Sequence, residues 1–440
     1  MRKPTENPEI FKKRRRKVIA GLKNAALIVA SHPEQIRNDD VQHFYRQDSN
    51  MYYLTGFEEP ESFLLLRPNK TPETVLFVRQ KNLERETWDG FRYGPAGAQK
   101  EFMIDEVFGI EEFETKAVEL LKGYEEVYYR LFKNPEADKK VEAVMTQLKR
   151  ASGRTGYGLL TIKDADTLLG EFRLKKDSDD LANQRKACEI SAEAHVAAMK
   201  FTKPGVNERH VQAVLSYAFH MKGAARVGYP YIIASGANAT TLHYNFNDQE
   251  CKNGDLLLID AGAEYNYYSG DITRTYPVNG RFSPAQKKVY EGVLRIQKEL
   301  ISYVKPGIFF KDLHEMGTDR LVDLMFELGL LSGRKEDSME ANEHRKYYPH
   351  GIGHWLGMDV HDSGLYFIDS EPRPIEEGMC FTIEPGLYIP IDDQSAPAEL
   401  RGIGIRIEDN IVVTRNGCDI LTSGVPKEIE EIEKIVGIGL

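Results

Sequence analysis

The second part of the chain contains an internal repeat, which constrains the fold more than any other feature of the sequence. A helical pattern over Leu181–Phe201 ends in Thr-Lys-Pro-Gly-Val at Thr202–Val206, and a second pattern over Pro284–Tyr303 ends in Val-Lys-Pro-Gly-Ile at Val304–Ile308. A further helical segment follows each of them. Because a repeated segment is expected to fold alike each time, the sequence predicts two similar halves that face each other.

Each half also carries an acidic residue directly after an apolar run. The segment Gly254–Gly262 (GDLLLIDAG) is echoed by Gly378–Gly386 (GMCFTIEPG), and this match aligns Asp260 with Glu384. Apolar runs that predict buried strands precede three acids of this region: Leu256–Ile259, Met379–Ile383 and Ile403–Ile407. Since one further acid follows on the next strand of each half, we expect one β-hairpin with two carboxylates in each half.

Those further acids are Asp271 and Glu408, and the segment HGIGHWLG adds the imidazole of His354. Buried carboxylates are costly and repel one another unless a cation neutralises them. An oxygen-rich set with one imidazole favours manganese or cobalt, and zinc remains open. The alternative is a set of solvated or salt-bridged acids. The sequence predicts two divalent ions, held by five side chains: Asp260, Asp271, His354, Glu384 and Glu408.

Further histidines lie in the same segments. His350 and His361 flank the expected ligand His354 in HGIGHWLGMDVHD, and His243 lies in TTLHYNF before the first hairpin. One imidazole suffices as a ligand, so the others are expected to donate hydrogen bonds to a substrate carbonyl or to a developing oxyanion.

The first part of the chain has a different pattern. Strands are predicted at Ala25–Ala30, Ser62–Arg67 and Thr74–Val78, and an amphipathic helix at Pro135–Ser152. The charged segment Phe172–Leu181 then opens a long helix. We therefore expect an α/β (α+β) protein with a smaller domain at residues 1–172 and a catalytic domain at residues 173–440.

The 440 residues carry a net charge of −10, which argues against a general nucleic-acid binder. No apolar stretch reaches the roughly 20 residues that cross a bilayer, and Val18–Ala30 is interrupted by Lys23 and Asn24, which argues against a signal peptide. The basic run Lys12–Lys17 is expected to be the solvated face of a first helix. Four widely spaced cysteines favour a reduced, cytoplasmic protein.

Three long strings carry a family resemblance: HWLGMDVHD at His354–Asp362, TIEPGLYI at Thr382–Ile389 and RGIGIRIEDN at Arg401–Asn410. With them the chain resembles the pita-bread metallopeptidases, whose members include methionine aminopeptidases, prolidases, aminopeptidases P and the metal-free creatinases. The resemblance covers nearly the whole chain and is strongest to the aminopeptidase P branch. Asn410 is a departure, since an acid is more usual there.

The resemblance implies a role for each matching residue. Asp260 would bind one ion, Asp271 and Glu408 both ions, and His354 with Glu384 would complete the other shell. Glu384 would also be the general base. The remaining positions implied to act in catalysis or to contact the substrate are His243, His350, His361, Arg406, Tyr388, Tyr229 and Trp88.

The implied activity is release of the N-terminal residue from peptides with proline in second position. A prolidase, which takes only dipeptides, is the closest alternative, and a metal-free hydrolase or binding module is a second one. The family also implies a homodimer or homotetramer. From the charge and the apolar pattern we expect neither nucleic acid nor a membrane as a partner.

Overall fold

The computed structural model describes residues 4–153 and 161–439 and forms two compact units, Met1–Phe172 and Arg173–Leu440. Within the described residues, no helix combines the length and the apolar character that crossing a membrane requires. Both units mix helices with sheets, as the sequence predicts.

The first unit contains a six-stranded mixed sheet. Its helices are α1 (Pro8–Leu22), α2 (Ser49–Thr55), α3 (Leu83–Asp89), α4 (Gly94–Phe102), α5 (Phe113–Leu120) and α6 (Pro135–Ser152), and α7 (Ala165–Leu174) crosses the boundary between the units. Its strands are β1 (Ala26–Ala30), β2 (Ile36–Asn38), β3 (Val41–Gln42), β4 (Phe63–Leu66), β5 (Thr74–Val78), β6 (Glu106–Gly109), β7 (Glu126–Tyr128) and β8 (Thr161–Lys163). The sheet order is β6-β5-β4-β1-β7-β8, and β2 with β3 forms a separate hairpin.

The basic run of α1 corrects an expectation. Arg14 and Arg15 are each 1% exposed rather than solvated. The Arg15 guanidinium donates to the carbonyls of Leu54 at 2.8 Å and Met103 at 2.7 Å, and that of Arg14 lies 4.5 Å from the ring centre of Tyr53. Burial lowers the pKa of Arg15 to about 10. The two arginines therefore bond to backbone carbonyls near the C-terminal ends of α2 and α4. The charge pattern alone did not indicate this role.

The second unit contains the repeat. Its helices are α8 (Ser178–Phe201), α9 (Glu208–Met221), α10 (Pro284–Tyr303), α11 (Phe310–Glu327), α12 (Lys335–Glu340) and α13 (Ile429–Ile435). Its strands are β9 (Arg226–Val227), β10 (Ile232–Ser235), β11 (Leu256–Asp260), β12 (Ala263–Tyr265), β13 (Tyr268–Ser269), β14 (Thr273–Pro277), β15 (Phe367–Ile368), β16 (Glu371–Pro372), β17 (Cys380–Ile383), β18 (Gly386–Tyr388), β19 (Gly404–Arg406), β20 (Asp409–Thr414) and β21 (Gly417–Ile420).

The two Lys-Pro-Gly turns have the same structure. Gly205 has φ +88° and Gly307 has φ +93°, a left-handed conformation that favours glycine. Gly205 N–H donates to the Cys251 carbonyl, and Gly307 N–H donates to the Ile375 carbonyl, both at 2.9 Å. Cys251 and Ile375 each precede the aligned acid of their half by nine residues. The repeat therefore exists in the hydrogen bonding as well as in the sequence.

Each half pairs its two acid-bearing segments antiparallel. In the first half Asp260 on β11 lies opposite Thr273 on β14. In the second half Ile383 on β17 lies opposite Asp409 on β20. This register places Glu384 beside Glu408, just as it places Asp260 near Asp271, so four carboxylates gather at the ends of two matching hairpins.

Candidate metal centre

The acidic residues line a cleft of about 790 Å³ in the second unit. Several predicted site residues meet in its wall: Tyr229, His243, Asp260, Asp271, His350, His354, His361, Glu384, Arg406 and Glu408. Tyr388 is buried directly behind them, where its hydroxyl contacts both His350 and Arg406. The fold thus brings together residues up to 179 positions apart in the chain.

Three of the five expected ligands form the tightest group. One donor atom from each of Asp271, His354 and Glu408 lies within 4.8 Å of the other two. His354 Nε2 is 3.3 Å from an Asp271 oxygen and 3.6 Å from a Glu384 oxygen. The side chains of Asp260 and Glu384 are also largely buried. Oxygen and imidazole donors that converge at these distances suit divalent ions of the manganese, cobalt or zinc type.

The electrostatics of the group show why cations fit it. Burial raises the pKa of Asp271, Glu384 and Glu408, and for Glu384 the value reaches about 7 despite the opposing charges of His354 and Arg406. Burial lowers the pKa of His354, but its hydrogen bond to Asp271 and the nearby negative charges outweigh this effect and raise it to about 9. The protein alone therefore leaves negative charge incompletely compensated, which divalent ions would correct.

Two side chains hold Asp260 from opposite sides. The Tyr229 hydroxyl lies 2.7 Å from an Asp260 oxygen and 2.5 Å from an Asp271 oxygen, so the two carboxylates share its one proton. The Arg406 guanidinium donates to the other Asp260 oxygen at 2.6 Å, to Thr273 at 2.9 Å and to the Tyr388 hydroxyl at 2.9 Å. Because hydrogen bonds fix the direction in which a carboxylate presents its free lone pairs, Tyr229 and Arg406 orient Asp260 toward the cleft.

The histidines other than His354 occupy different surroundings. His350 Nε2 lies 2.8 Å from the Tyr388 hydroxyl, and burial together with Arg406 lowers its pKa to about 3, so the ring is neutral near pH 7. His361 is exposed and its ring centre lies 4.3 Å from that of His354, edge to face. His243 is exposed and also lines the cleft. His361 and His243 are therefore accessible to a bound substrate.

Three residues that support the ligands were not assigned that role from the sequence, although Asn410 was noted as a departure from the family pattern. Thr273 donates to Glu408 at 2.6 Å, and Thr382 accepts from the His354 N–H at 3.0 Å. Asn410 accepts from the Asp271 N–H at 2.8 Å and donates to the Asp271 carbonyl. A signal existed, since each lies two residues from a ligand and thus on the same face of its segment. Applying that period to every ligand would have found them.

Trp88 is the one predicted site residue outside this arrangement. It lies on α3 of the first unit and is 82% exposed. It is not among the described residues that line the cleft of the second unit. Its role remains a prediction.

A buried cluster of carboxylates with one ligand imidazole, carried by two matching hairpins in a cleft, defines a metallohydrolase centre of the pita-bread type. Comparison with known proteins supports this class. Residues 182–415 match the metallopeptidase family M24, and residues 11–128 match the aminopeptidase P N-terminal domain.

Individual relatives match over almost their full length. The Xaa-Pro aminopeptidase of Haemophilus influenzae is 38% identical and that of Escherichia coli 39% identical, each with 97% of both chains covered. Among solved structures, Pseudomonas aeruginosa aminopeptidase PepP superposes with a TM-score of 0.93 at 42% identity, covering 98% of both chains. A substrate complex of Escherichia coli aminopeptidase P gives 0.92 at 37% identity. The chain belongs to the metallopeptidase family M24 and carries an aminopeptidase P-type N-terminal domain.

Proposed function

We propose that this protein is an Xaa-Pro aminopeptidase, which releases the N-terminal residue from peptides that have proline in second position. The observation that carries the proposal is the grouping of Asp271, His354 and Glu408 within 4.8 Å in a cleft. The relatives that match 97% of the chain bear this activity in their names. A prolidase would use the same centre, and the experiment below separates the two.

The metal-binding role falls to Asp260, Asp271, His354, Glu384 and Glu408, all of which line the cleft. Two divalent ions bound there would lower the pKa of a water molecule and polarise the scissile carbonyl. A bond before proline is a tertiary amide without an N–H, so an enzyme cannot hold the leaving residue through that donor. The enzyme then has to hold the peptide through its scissile carbonyl and its free N-terminus.

The side chains divide the proton transfers among them. Glu384 takes one proton from the attacking water, whose oxygen forms a bond to the carbonyl carbon. His361 donates a hydrogen bond to the oxygen that becomes negative. Glu384 returns the proton to the proline nitrogen as the carbon–nitrogen bond breaks. His243, which also lines the cleft, contacts the substrate near the proline. The bonds of Arg406 and His350 to Tyr388 shape that pocket.

The test is product analysis with two substrates. Manganese-loaded protein is incubated with an Xaa-Pro dipeptide and, separately, with an Xaa-Pro-Xaa-Xaa peptide, and the products are identified by mass. We expect release of the first residue from the longer peptide. Replacing Glu384 by Gln keeps the shape but removes both the base and a carboxylate ligand, so kcat should fall at least about 100-fold. Glu377→Gln, at an exposed glutamate, is the matched control.

Other outcomes are equally informative. Cleavage of the dipeptide alone would make the protein a prolidase. No cleavage of either peptide, with metal bound in stoichiometric amount, would refute the peptidase assignment.

We further propose manganese as the physiological ion, because the donor set is rich in oxygen. Metal analysis of protein purified without added metal would distinguish manganese from cobalt and zinc.

We also propose that the protein forms a homodimer or homotetramer. Large apolar side chains exposed on the first unit, namely Phe44, Trp88 and Phe132, support this proposal. Light scattering after gel filtration would measure the assembly. The four unpaired cysteines support a cytoplasmic location, which cell fractionation would check.

A further inference from the structure

The segment of residues 241–249, here called the His243 loop, forms one wall of the cleft. It follows the short helical turn Gly236–Thr240 and precedes β11. Leu242, His243 and Asn245 of this loop line the cleft. The next residue after His243 is Tyr244, which points the other way and is 8% exposed. The position of His243 therefore depends on what holds the loop from behind.

A buried carboxylate lies behind the loop. Glu208, the first residue of α9, is 0% exposed. One of its oxygens accepts from the Ser235 N–H and hydroxyl, both at 2.7 Å, and from the Asn238 amide at 3.4 Å. The other accepts from the Tyr244 hydroxyl and the Gln249 N–H, both at 3.0 Å. These five donors are neutral groups, and two of them belong to the His243 loop.

The equivalent position in the second half of the internal repeat carries no carboxylate. Glu208 lies three residues after Gly205, and the residue three after Gly307 in the second half is Phe310. Phe310 fills its position by packing on aromatic rings, including Trp355 at 5.1 Å. A buried carboxylate is more costly than a phenyl ring unless its hydrogen bonds serve a purpose.

The side chain of Asn247 holds the C-terminal part of the His243 loop by hydrogen bonds. Asn247 is 4% exposed and has φ +48°. Its side chain accepts from the Ile233 N–H at 2.9 Å and donates to the Tyr231 carbonyl at 2.9 Å. Tyr244 and Asn247 thus attach the middle and the end of the loop to α9 and β10. The pKa of Tyr244 is raised to about 12 by burial and by Glu208, so the hydroxyl remains a donor at any working pH.

We propose that Glu208 is a positioning residue that acts through Tyr244 to hold His243 at the cleft wall, and so sets the affinity for the peptide. The proposal rests on the proposed peptidase function, because His243 is the group assigned to contact the substrate. Neither Glu208 nor Tyr244 is among the described residues that line the cleft, whereas His243 is.

The test compares two buried tyrosines of the second unit. Tyr244→Phe removes one donor to Glu208. The control Tyr276→Phe removes a buried hydroxyl bonded to Thr202 at 3.1 Å, away from the loop. We expect Tyr244→Phe to raise KM for the Xaa-Pro-Xaa-Xaa peptide about 3- to 10-fold, as loss of a hydrogen bond to a charged group would. We expect kcat to change less than about twofold, and Tyr276→Phe to change neither constant by more than that.

A double-mutant cycle shows whether the effect passes through His243. If it does, Tyr244→Phe should raise KM little or not at all when His243 is already Ala, because the group being positioned is gone. An equal increase in both backgrounds would overturn the proposal, as would kinetics of Tyr244→Phe that match those of Tyr276→Phe.

Amide hydrogen exchange provides a measurement that does not depend on activity. Residues 241–249 should exchange faster in Tyr244→Phe than in Tyr276→Phe and wild type, because the loop opens more often. Unchanged exchange would overturn the proposal. If wild-type protein cleaves no peptide while the exchange difference is present, the peptidase function fails and the anchoring by Glu208 stands.

Discussion

A buried ion-pair cluster next to His361 contributes to the unfolding free energy of the second unit. The Asp362 carboxylate, 1% exposed, accepts from Arg173 at 2.5 Å and from Lys176 at 3.0 Å. The same Arg173 guanidinium donates to Asp359 at 2.7 Å, and Asp359 is 40% exposed. Two cations therefore face two carboxylates, one buried and one near solvent. Asp362→Asn removes the buried carboxylate that pairs with both Arg173 and Lys176, which costs about 3–5 kcal/mol of unfolding free energy.

Asp359→Asn is the matched control, because it removes the same charge from the same arginine at a more exposed position. It should cost at most about 1 kcal/mol. The melting temperature should fall by about 6–20 °C in Asp362→Asn and by no more than about 4 °C in the control. Adding Lys176→Met to Asp362→Asn restores the balance of charge and should recover part of the loss. All variants are compared with chelator present, so that metal binding does not contribute.

The fluorescence of Trp355 provides a local assay of the same change. Its carbonyl accepts from the Asp362 N–H at 2.9 Å, and it is 0% exposed. In a Trp88→Phe background Trp355 is the only tryptophan, since the chain has two. Urea unfolding followed at Trp355 should show the midpoint shift of Asp362→Asn. Equal midpoints for Asp362→Asn and Asp359→Asn would refute the reasoning that burial makes this ion pair costly to break.

Three further outcomes are expected. Tyr229→Phe loses the bonds to Asp260 and Asp271 and should weaken metal binding about 10- to 100-fold by isothermal titration calorimetry, since these bonds orient two ligands; unchanged affinity would contradict this. Removing metal with a chelator should lower the melting temperature, and restoring manganese at about 100 times its Kd should return about 2.7 kcal/mol; a melting temperature independent of metal would argue against the centre. His195 is 0% exposed, bonds to the Ala261 carbonyl, and burial lowers its pKa to about 4. Since the unfolded ring binds a proton below about pH 6.5, the wild type should lose about 1–3 kcal/mol relative to His195→Gln as pH falls from about 7 to about 4.5; parallel stability curves would show that His195 does not titrate this way.

The sequence alone predicted those site residues whose positions follow from the strand pattern and the internal repeat. Asp260 and Glu384 end apolar strands, and the repeat aligns the two acids in the sequence alone. The strand limits shifted only slightly, as with Ile403–Ile407, where the observed strand is Gly404–Arg406. Period and repeat are local properties, so a single sequence suffices to read them.

Residues whose role depends on distant partners were not predictable in the same way. Arg15 looked like a surface cation, yet it bonds to a carbonyl 88 positions away. Glu208 looked like an ordinary first-turn acid of a helix, and its contact with Tyr244 spans 36 positions. A charge pattern records that a residue is ionisable, but burial and pairing are decided by which elements pack together. Such residues become visible only when the fold is known.

The buried polar groups of the second unit follow one physical logic. A metal centre requires several carboxylates to remain close together before any ion arrives, and they repel one another. The protein meets this requirement by giving the acids fixed partners: Arg406 for Asp260, Tyr229 for Asp260 and Asp271, and Thr273 for Glu408. Each partner occupies part of the hydrogen-bonding capacity of its acid and leaves the rest available to an ion. In the metal-free protein, repulsion between these carboxylates lowers the stability of the fold. Bound divalent ions would remove that repulsion, and the relief would add to the affinity of the centre for metal.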